Sequence, residues 1–253
     1  MIDNWLIGPI GQCVSYLADE AVYAGIVRRG LITMTGMQPY FLLAAKQLDE
    51  NGSDIQQLRA MAKDYQQWEA TASKHVADGF STVHSHSLVG LWCVVETTIE
   101  DSVLLILNKS RCAEALLVNA GYRIMKSPIS SLQPYQVRRI YSALEYQSRD
   151  NRRVGEAWVH LMSALGVTIH IDPDSLEAIG EANELRNCIL HRGGVIDDRS
   201  AQKAPQLKPY LGQKIEISEQ MYFKYYRALS AFSTAMLTAV LASAYMKWKN
   251  VDE

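Results

Sequence analysis

The chain has 253 residues, 48% of them hydrophobic, which is enough to bury a sizeable core and excludes wholesale disorder. Lys and Arg number 25 against 27 Asp and Glu, a net charge of −2, which excludes a protein that coats nucleic acid by bulk charge and leaves room for a local basic face. Cys13, Cys93, Cys112 and Cys188 are scattered without a Cys-x-x-Cys, the pattern of reduced thiols. No charged-then-apolar leader opens the chain, and a cytoplasmic protein is expected.

Helical periodicity dominates and strand alternation is nearly absent, which predicts an all-α fold. Residues 12–27 and 37–49 read as helices, with Gly36 and Pro39 at the entry to the second. Asn51-Gly52-Ser53 is a turn, and Ser53 or Asp54 caps a long, polar helix reaching Gly79, of the kind that flanks solvent. Near Thr82 the texture changes. Leu88, Leu91, Trp92, Val95, Ile99, Val103 and Ile106 recur at spacings of three and four, one apolar face along a long helix. A weakly marked boundary near residue 80 divides an N-terminal helical extension, 1–80, from the rest, 81–253. Further helices are expected at 132–147 and 152–165, the latter ended by Gly166. Another begins at Pro173 behind an Asp172 cap and stops at Gly193-Gly194. Residues 195–213 read as a polar loop, Lys214–Ile217 as a short strand, and Ser218 as the cap of the last long helix. Within that helix Ala228–Met246 carries no charge and has about the length of a membrane span. Ser230, Ser233, Thr234, Thr238 and Ser243 lower its apolar gain, and the centre of a helical protein is the better reading; no membrane partner is expected.

The most informative stretch is Glu184-Leu185-Arg186-Asn187-Cys188-Ile189-Leu190-His191-Arg192-Gly193-Gly194. With Arg186 at zero on a helical wheel, Asn187 falls at about 100° and His191 at about 140°. Ala178, Ala182, Leu185 and Ile189 form a stripe on the other side that faces the core. Leu176, Ile179 and Leu190 share the arc of the polar triad as a second apolar face, and Glu177, Glu181 and Glu184 fill a third arc that reads as solvent. A helix apolar on two faces suggests burial against a partner as well as against its own core.

Arg186-Asn187-x-x-x-His191 near a helix end, followed by Gly-Gly, a variable loop and a long final helix, resembles the signature of the HEPN superfamily. The likeness covers roughly residues 84–247, and it implies a HEPN-like helical bundle with additional N-terminal helices. It also implies a metal-independent endoribonuclease that needs no cofactor, whose active site forms where two copies of the motif meet in a homodimer. Such proteins serve as toxins or antiviral-defence effectors, with an antitoxin or inhibitor as a further partner. The chemistry is plausible from the residues. Histidine titrates near neutrality, so His191 from each protomer could exchange acid and base roles. Arg186 offers a fixed fork of donors to phosphate oxygens, and Asn187 could orient the phosphate or the histidine. The alternative function is a non-catalytic HEPN module that binds nucleic acid or a nucleotide as a scaffold. Locally, Arg186 could instead pair with Glu181 or Glu184, with His191 merely closing the helix. In HEPN toxins paired with a nucleotidyltransferase, a tyrosine follows the histidine by two residues; Gly193 stands there in this chain, a departure from that subgroup.

Related enzymes bring an acidic residue from an earlier helix to the motif. Glu96, at the edge of the Trp92–Ile99 stripe, is the first candidate and Glu100 the second, with two solvated glutamates as the open alternative. For RNA binding the candidates are Arg192 and the cluster Arg149, Arg152 and Arg153, with Arg138-Arg139 in addition and Tyr135, Tyr141 and Tyr146 as stacking surfaces; solvated helix faces are the other reading. His84 and His86 point about 200° apart on a helix and cannot share a metal, and His160 and His170 lack companions at ligand spacing.

Overall fold

The computed structural model describes residues 5–50, 56–123 and 134–246, and among them the chain is all-α. The helices are α1 (Ile7–Met34), α2 (Gln38–Glu50), α3 (Gln56–Ala77), α4 (Ser81–Lys109), α5 (Ala113–Asn119), α6 (Pro134–Ser148), α7 (Val154–Ala164), α8 (Pro173–Arg192), α9 (Asp198–Lys203) and α10 (Glu219–Ala242). Short 3-10 turns cover Pro205–Tyr210 and Ala244–Met246.

The apolar face read along α4 makes it the hub. Leu88, Leu91, Trp92, Val95, Ile99, Val103 and Ile106 are all buried, and α1, α6, α8 and α10 pack around this helix. Each fully buried large apolar side chain contributes about 1.5–3 kcal/mol relative to exposure. Trp92 of α4 packs on Trp158 of α7 at 5.1 Å, and Trp158 on Phe232 of α10 at 5.6 Å, so three helices meet in one aromatic cluster. Leu6, Ile10, Cys13, Leu17 and Ala24 join that same core, so α1 is packed into the body formed by residues 81–246. The helix runs from Ile7 to Met34, well beyond the 12–27 read from periodicity.

Helices α2 and α3 form a hairpin whose α3 side leans on α1. Its buried side chains are few and small (Ala45, Ala62, Ala72), while Tyr40, Leu42, Leu43 and Trp68 stay exposed. Phe41 stacks on Tyr65 at 4.1 Å. The expected turn at Asn51-Gly52-Ser53 and the caps Ser53 and Asp54 lie outside the described residues.

α10 is packed against α1, α4 and α8, and Tyr225, Leu229, Phe232 and Val240 are fully buried. Among the described residues no helix is long and apolar enough to cross a membrane. Two expectations need correction, and one helix is an addition. Residues 195–213 hold α9 and the 3-10 turn Pro205–Tyr210 instead of a plain loop, because Asp197 caps α9 by accepting from the Ser200 N–H at 2.9 Å and Leu207 is buried beneath the turn. Lys214–Ile217 forms no strand; only single bridges join Val195 to Lys214 and Ile196 to Leu211. The short α5 was not anticipated, its seven residues being too few to display a period.

Candidate functional site

Helix α8 is built as its ends predict. Asp172 accepts from the Ser175 N–H at 2.7 Å, Pro173 occupies the first turn, and Gly193 closes the helix in the left-handed region at φ 60°. Ala178, Ala182 and Leu185 are buried as expected.

The second apolar face is different from expectation. Ile179 is fully buried within the monomer, and Leu176 is half-buried. Both press on α7 at Gly155, where a Cβ would stand 3.1 Å from Leu176 Cδ2 and 3.2 Å from Ile179 Cγ2. A side chain there would require the Leu176 and Ile179 side chains to give by a few tenths of an ångström. Only Leu190, 48% exposed, remains of the proposed partner face. The glutamate arc is also corrected. Glu177 is half-exposed, but Glu181 and Glu184 are each only 5% exposed. Glu181 accepts from the Tyr225 hydroxyl at 2.6 Å and from Lys224, both on α10. Glu184 accepts from Asn183 Nδ2 at 3.0 Å and from Lys203 Nζ of α9 at 3.4 Å. Burial and the adjacent Glu181 carboxylate push the Tyr225 hydroxyl far above the usual phenol range.

The motif residues divide into a held part and a free part. Arg186 Nη2 donates to Glu96 Oε2 of α4 at 3.2 Å, and Nη1 donates to Asn187 Oδ1 at 3.0 Å. The side chains of Arg186 and Glu96 are 21% and 32% exposed, and the Arg186 Nε–H is buried without a partner among the described residues. Glu96 is therefore the carboxylate from an earlier helix that stands at the motif. Glu100, one turn on, turns to Arg138 of α6 at 2.7 Å. Tyr141 of α6 packs behind this pair; burial first, then Glu145, Glu100 and Glu96, raise its hydroxyl well above the phenol range. His191 lies on the last turn of α8, exposed, with no hydrogen bond to another described residue. Leu190, its neighbour in sequence, and Val195 and Leu211, in the segment that follows α8, are exposed apolar side chains.

Known proteins offer no match. Comparison found no family model that fits the chain, no similar curated protein and no similar solved structure. The likeness to the HEPN superfamily accordingly stands on the motif and its helical setting alone.

The remaining candidates scatter around the α6–α7 corner and the end of α8. Arg192 pairs with Asp197 at 3.0 Å, a bond that ties the helix end to the α9 cap. Hydrogen bonds from the Ser200 backbone and side chain, aided by Arg192, hold the Asp197 carboxyl below the usual range. Arg149 pairs with Glu145 at 2.6 Å and Arg153 with Glu177 at 3.8 Å. Arg152 donates to the Ser148 carbonyl at 3.3 Å. Of the stacking tyrosines, Tyr141 is only 5% exposed and cannot meet a base, Tyr146 is 82% exposed, and the Tyr135 side chain lies outside the described residues. Sequence reading missed the buried roles of Glu181 and Glu184 and the neighbourhood of His160, whose ring tilts over Tyr122 at 5.8 Å. Apart from Asn183, which neighbours Glu184, these partners are distant in sequence, and no local spacing signals them.

Proposed function

We propose that the protein is a metal-independent endoribonuclease of the HEPN type, acting as a dimer whose active site combines two copies of α8. The observation that carries this reading is the division within the motif: Arg186 is oriented by Glu96 and Asn187, while the His191 side chain on the next turn is exposed and has no hydrogen bond to another described residue. A guanidinium has five N–H groups; two are used here and the Nε–H is buried, which leaves two for phosphate oxygens. In the reaction the ribose 2′-OH attacks the neighbouring phosphorus as one His191 accepts its proton. The 5′-oxygen leaves with a proton from the other His191, giving a 2′,3′-cyclic phosphate and a 5′-hydroxyl. Arg186 stabilises the phosphorane charge. The exposed Leu190, next to His191 in sequence, with Val195 and Leu211 after the helix end, offers the second copy an apolar surface. A toxin or defence effector with a dedicated inhibitor protein is the setting this reading favours.

The test is incubation of the purified protein with total RNA in excess EDTA. Fragments with cyclic phosphate ends are expected, together with their loss in His191→Ala at unchanged dimer content. Cleavage that appears only on adding Mg²⁺ or Mn²⁺ refutes the mechanism. The second reading, a nucleic-acid-binding module without catalysis, is favoured by how fully Arg186 is engaged inside the fold; binding of RNA with no cleavage in any condition selects it.

A further inference from the structure

The corner between α6 and α7 holds two clefts that share a wall. The first, about 550 Å³, is lined by Gly121, Tyr122, Tyr146, Arg149, Arg152 and His160. The second, about 330 Å³, runs from Arg149 and Arg152 past Arg153 and Lys203 to Gly180 and Asn183 of α8. Asn183 is one helical turn before Arg186 and Asn187. Three of these four cations already have a carboxylate: Arg149 has Glu145, Arg153 has Glu177, and Lys203 has Glu184. Arg152, exposed and common to both clefts, has none within 4 Å among the described residues. Asp150 on the rim of the first cleft adds one negative charge against its two arginines.

The aromatic side of the first cleft is built in advance. The Tyr122 ring is buried, its hydroxyl is bonded to Ser148 Oγ at 2.7 Å, and the His160 ring lies over it with 30° between their planes. The Gln147 amide holds the adjoining strand of chain from both sides, accepting from the Arg123 N–H at 2.8 Å and donating to its carbonyl at 3.2 Å. Burial, with Arg152 in second place, lowers the His160 pKa and so favours the neutral ring. Tyr146, opposite in character, offers an almost wholly exposed face.

Planar rings beside an unpaired guanidinium match a nucleobase attached to its phosphate. We propose that this corner is a strand-binding subsite for single-stranded RNA. One base seats in the cleft against Tyr146 and His160, with buried Tyr122 backing the His160 ring, and the backbone crosses Arg152 and follows the second cleft toward α8. A duplex hides its base faces and does not fit such a cleft. The direction of the strand rests on the ribonuclease reading of Arg186 and His191; the base-binding cleft does not.

The experiment uses the full-length His191→Ala protein, so that nothing is cut, and a fluorescein-labelled oligouridine of roughly 12 nucleotides, within the span that single-strand binders cover. Fluorescence anisotropy reads affinity across a salt series. Arg152→Ala is expected to weaken binding about tenfold and to lower the log–log salt slope by about 0.7, the single-strand value for one phosphate contact. Tyr146→Ala is expected to weaken binding about fivefold or more at an unchanged slope, with Tyr146→Trp restoring it. Both positions are exposed, and thermal melts confirm that the variants fold. Binding unchanged in both variants, duplex RNA bound as tightly as the single strand, or no strand binding at all overturns the proposal. Uridine monophosphate competing as well as the strand also overturns it, marking a mononucleotide site. Strand binding that depends on Arg152 and Tyr146 without any cleavage by the wild type leaves this subsite standing and removes only the ribonuclease reading.

Discussion

The bond between Glu96 and Arg186 joins two helices through the motif, and its strength can be bounded before measurement. At 3.2 Å the gross attraction is about 5 kcal/mol for an effective dielectric near 20. Fully exposed pairs retain about 0–1 kcal/mol of this, while breaking a fully buried pair costs about 3–5 kcal/mol. With side chains 21% and 32% exposed, the pair stands between these limits, and a coupling of about 1–2 kcal/mol is expected. For a chain of this size that corresponds to about 2–8 °C in Tm. The measurement is a double-mutant cycle by urea or thermal unfolding with Glu96→Gln, Arg186→Met and the double variant. Glu96→Gln keeps the shape and removes the charge, and Arg186→Met keeps the stem and removes the fork. Additivity within about 0.3 kcal/mol would refute the inference that this ion pair fixes the arginine. Under the proposed chemistry Glu96 is a positioning residue. Glu96→Gln should then lower kcat about tenfold while KM barely moves, because the phosphate-facing N–H groups lose their aim.

Three further outcomes follow from the packing. His84 is fully buried, donates from Nδ1 to the Ile217 carbonyl at 2.9 Å, and has a buried Nε2 without a partner; burial lowers its pKa. The unfolded chain therefore takes the proton first. The stability this histidine contributes is full above the ordinary imidazole range and declines as pH falls below it, so Tm between pH 7.5 and 5.5 should drop more steeply for the wild type than for His84→Gln; parallel slopes would sink this account. Tyr225→Phe removes the hydroxyl donated to buried Glu181 and should cost about 1.5–3 kcal/mol in urea unfolding, an undetectable change counting against that bond as a support of α8 on α10. Ile179→Asp, placing a charge at a fully buried position, should unfold the monomer, whereas Leu190→Asp should leave Tm within about 1 °C and dissociate the dimer in light scattering. A folded Ile179→Asp protein would contradict the packing of α8 on α7.

The parts of the fold that sequence reading captured are those with a local cause. The Asp172 cap, the first-turn proline and the left-handed Gly193 bound α8 by chemistry within a few residues, and the period of α4 announces its buried face because that helix is packed along its whole length. The parts that escaped depend on what arrives from elsewhere. Glu181 and Glu184 look like a solvent stripe on a wheel; they are buried because Lys224 and Tyr225 of α10 and Lys203 of α9 come to meet them. Ile179 looks unclaimed because the groove that takes it is opened by Gly155, on another helix. At the site, Glu96 was legible because an acid at the margin of an apolar stripe needs a cation. The cleft at His160 was not, since Tyr122, Tyr146, Arg152 and His160 converge only when α6 and α7 pack.

The same packing supports the proposal that a second copy of the chain takes part in the chemistry. α8 is restrained along most of its length: by α7 at Leu176 and Ile179, by α10 and α9 at Glu181 and Glu184, and by α4 at Arg186. Cys188 is buried with its thiol on Ser200 of α9 at 3.2 Å, and Ile189 packs partly against the core. On the last turn Arg192 is tied sideways to Asp197, Leu190 is 48% exposed, and the exposed His191 side chain has no hydrogen bond to another described residue. A general acid or base needs a group that orients its ring, and none of the described residues hydrogen-bonds the His191 side chain. An isologous contact over Leu190, Val195 and Leu211 would bury the apolar margin and set the two histidines facing one groove, each the other's orienting wall. The monomer is thus organised up to the arginine and open at the histidine. That asymmetry is why the proposed reaction is assigned to the dimer and not to the single chain.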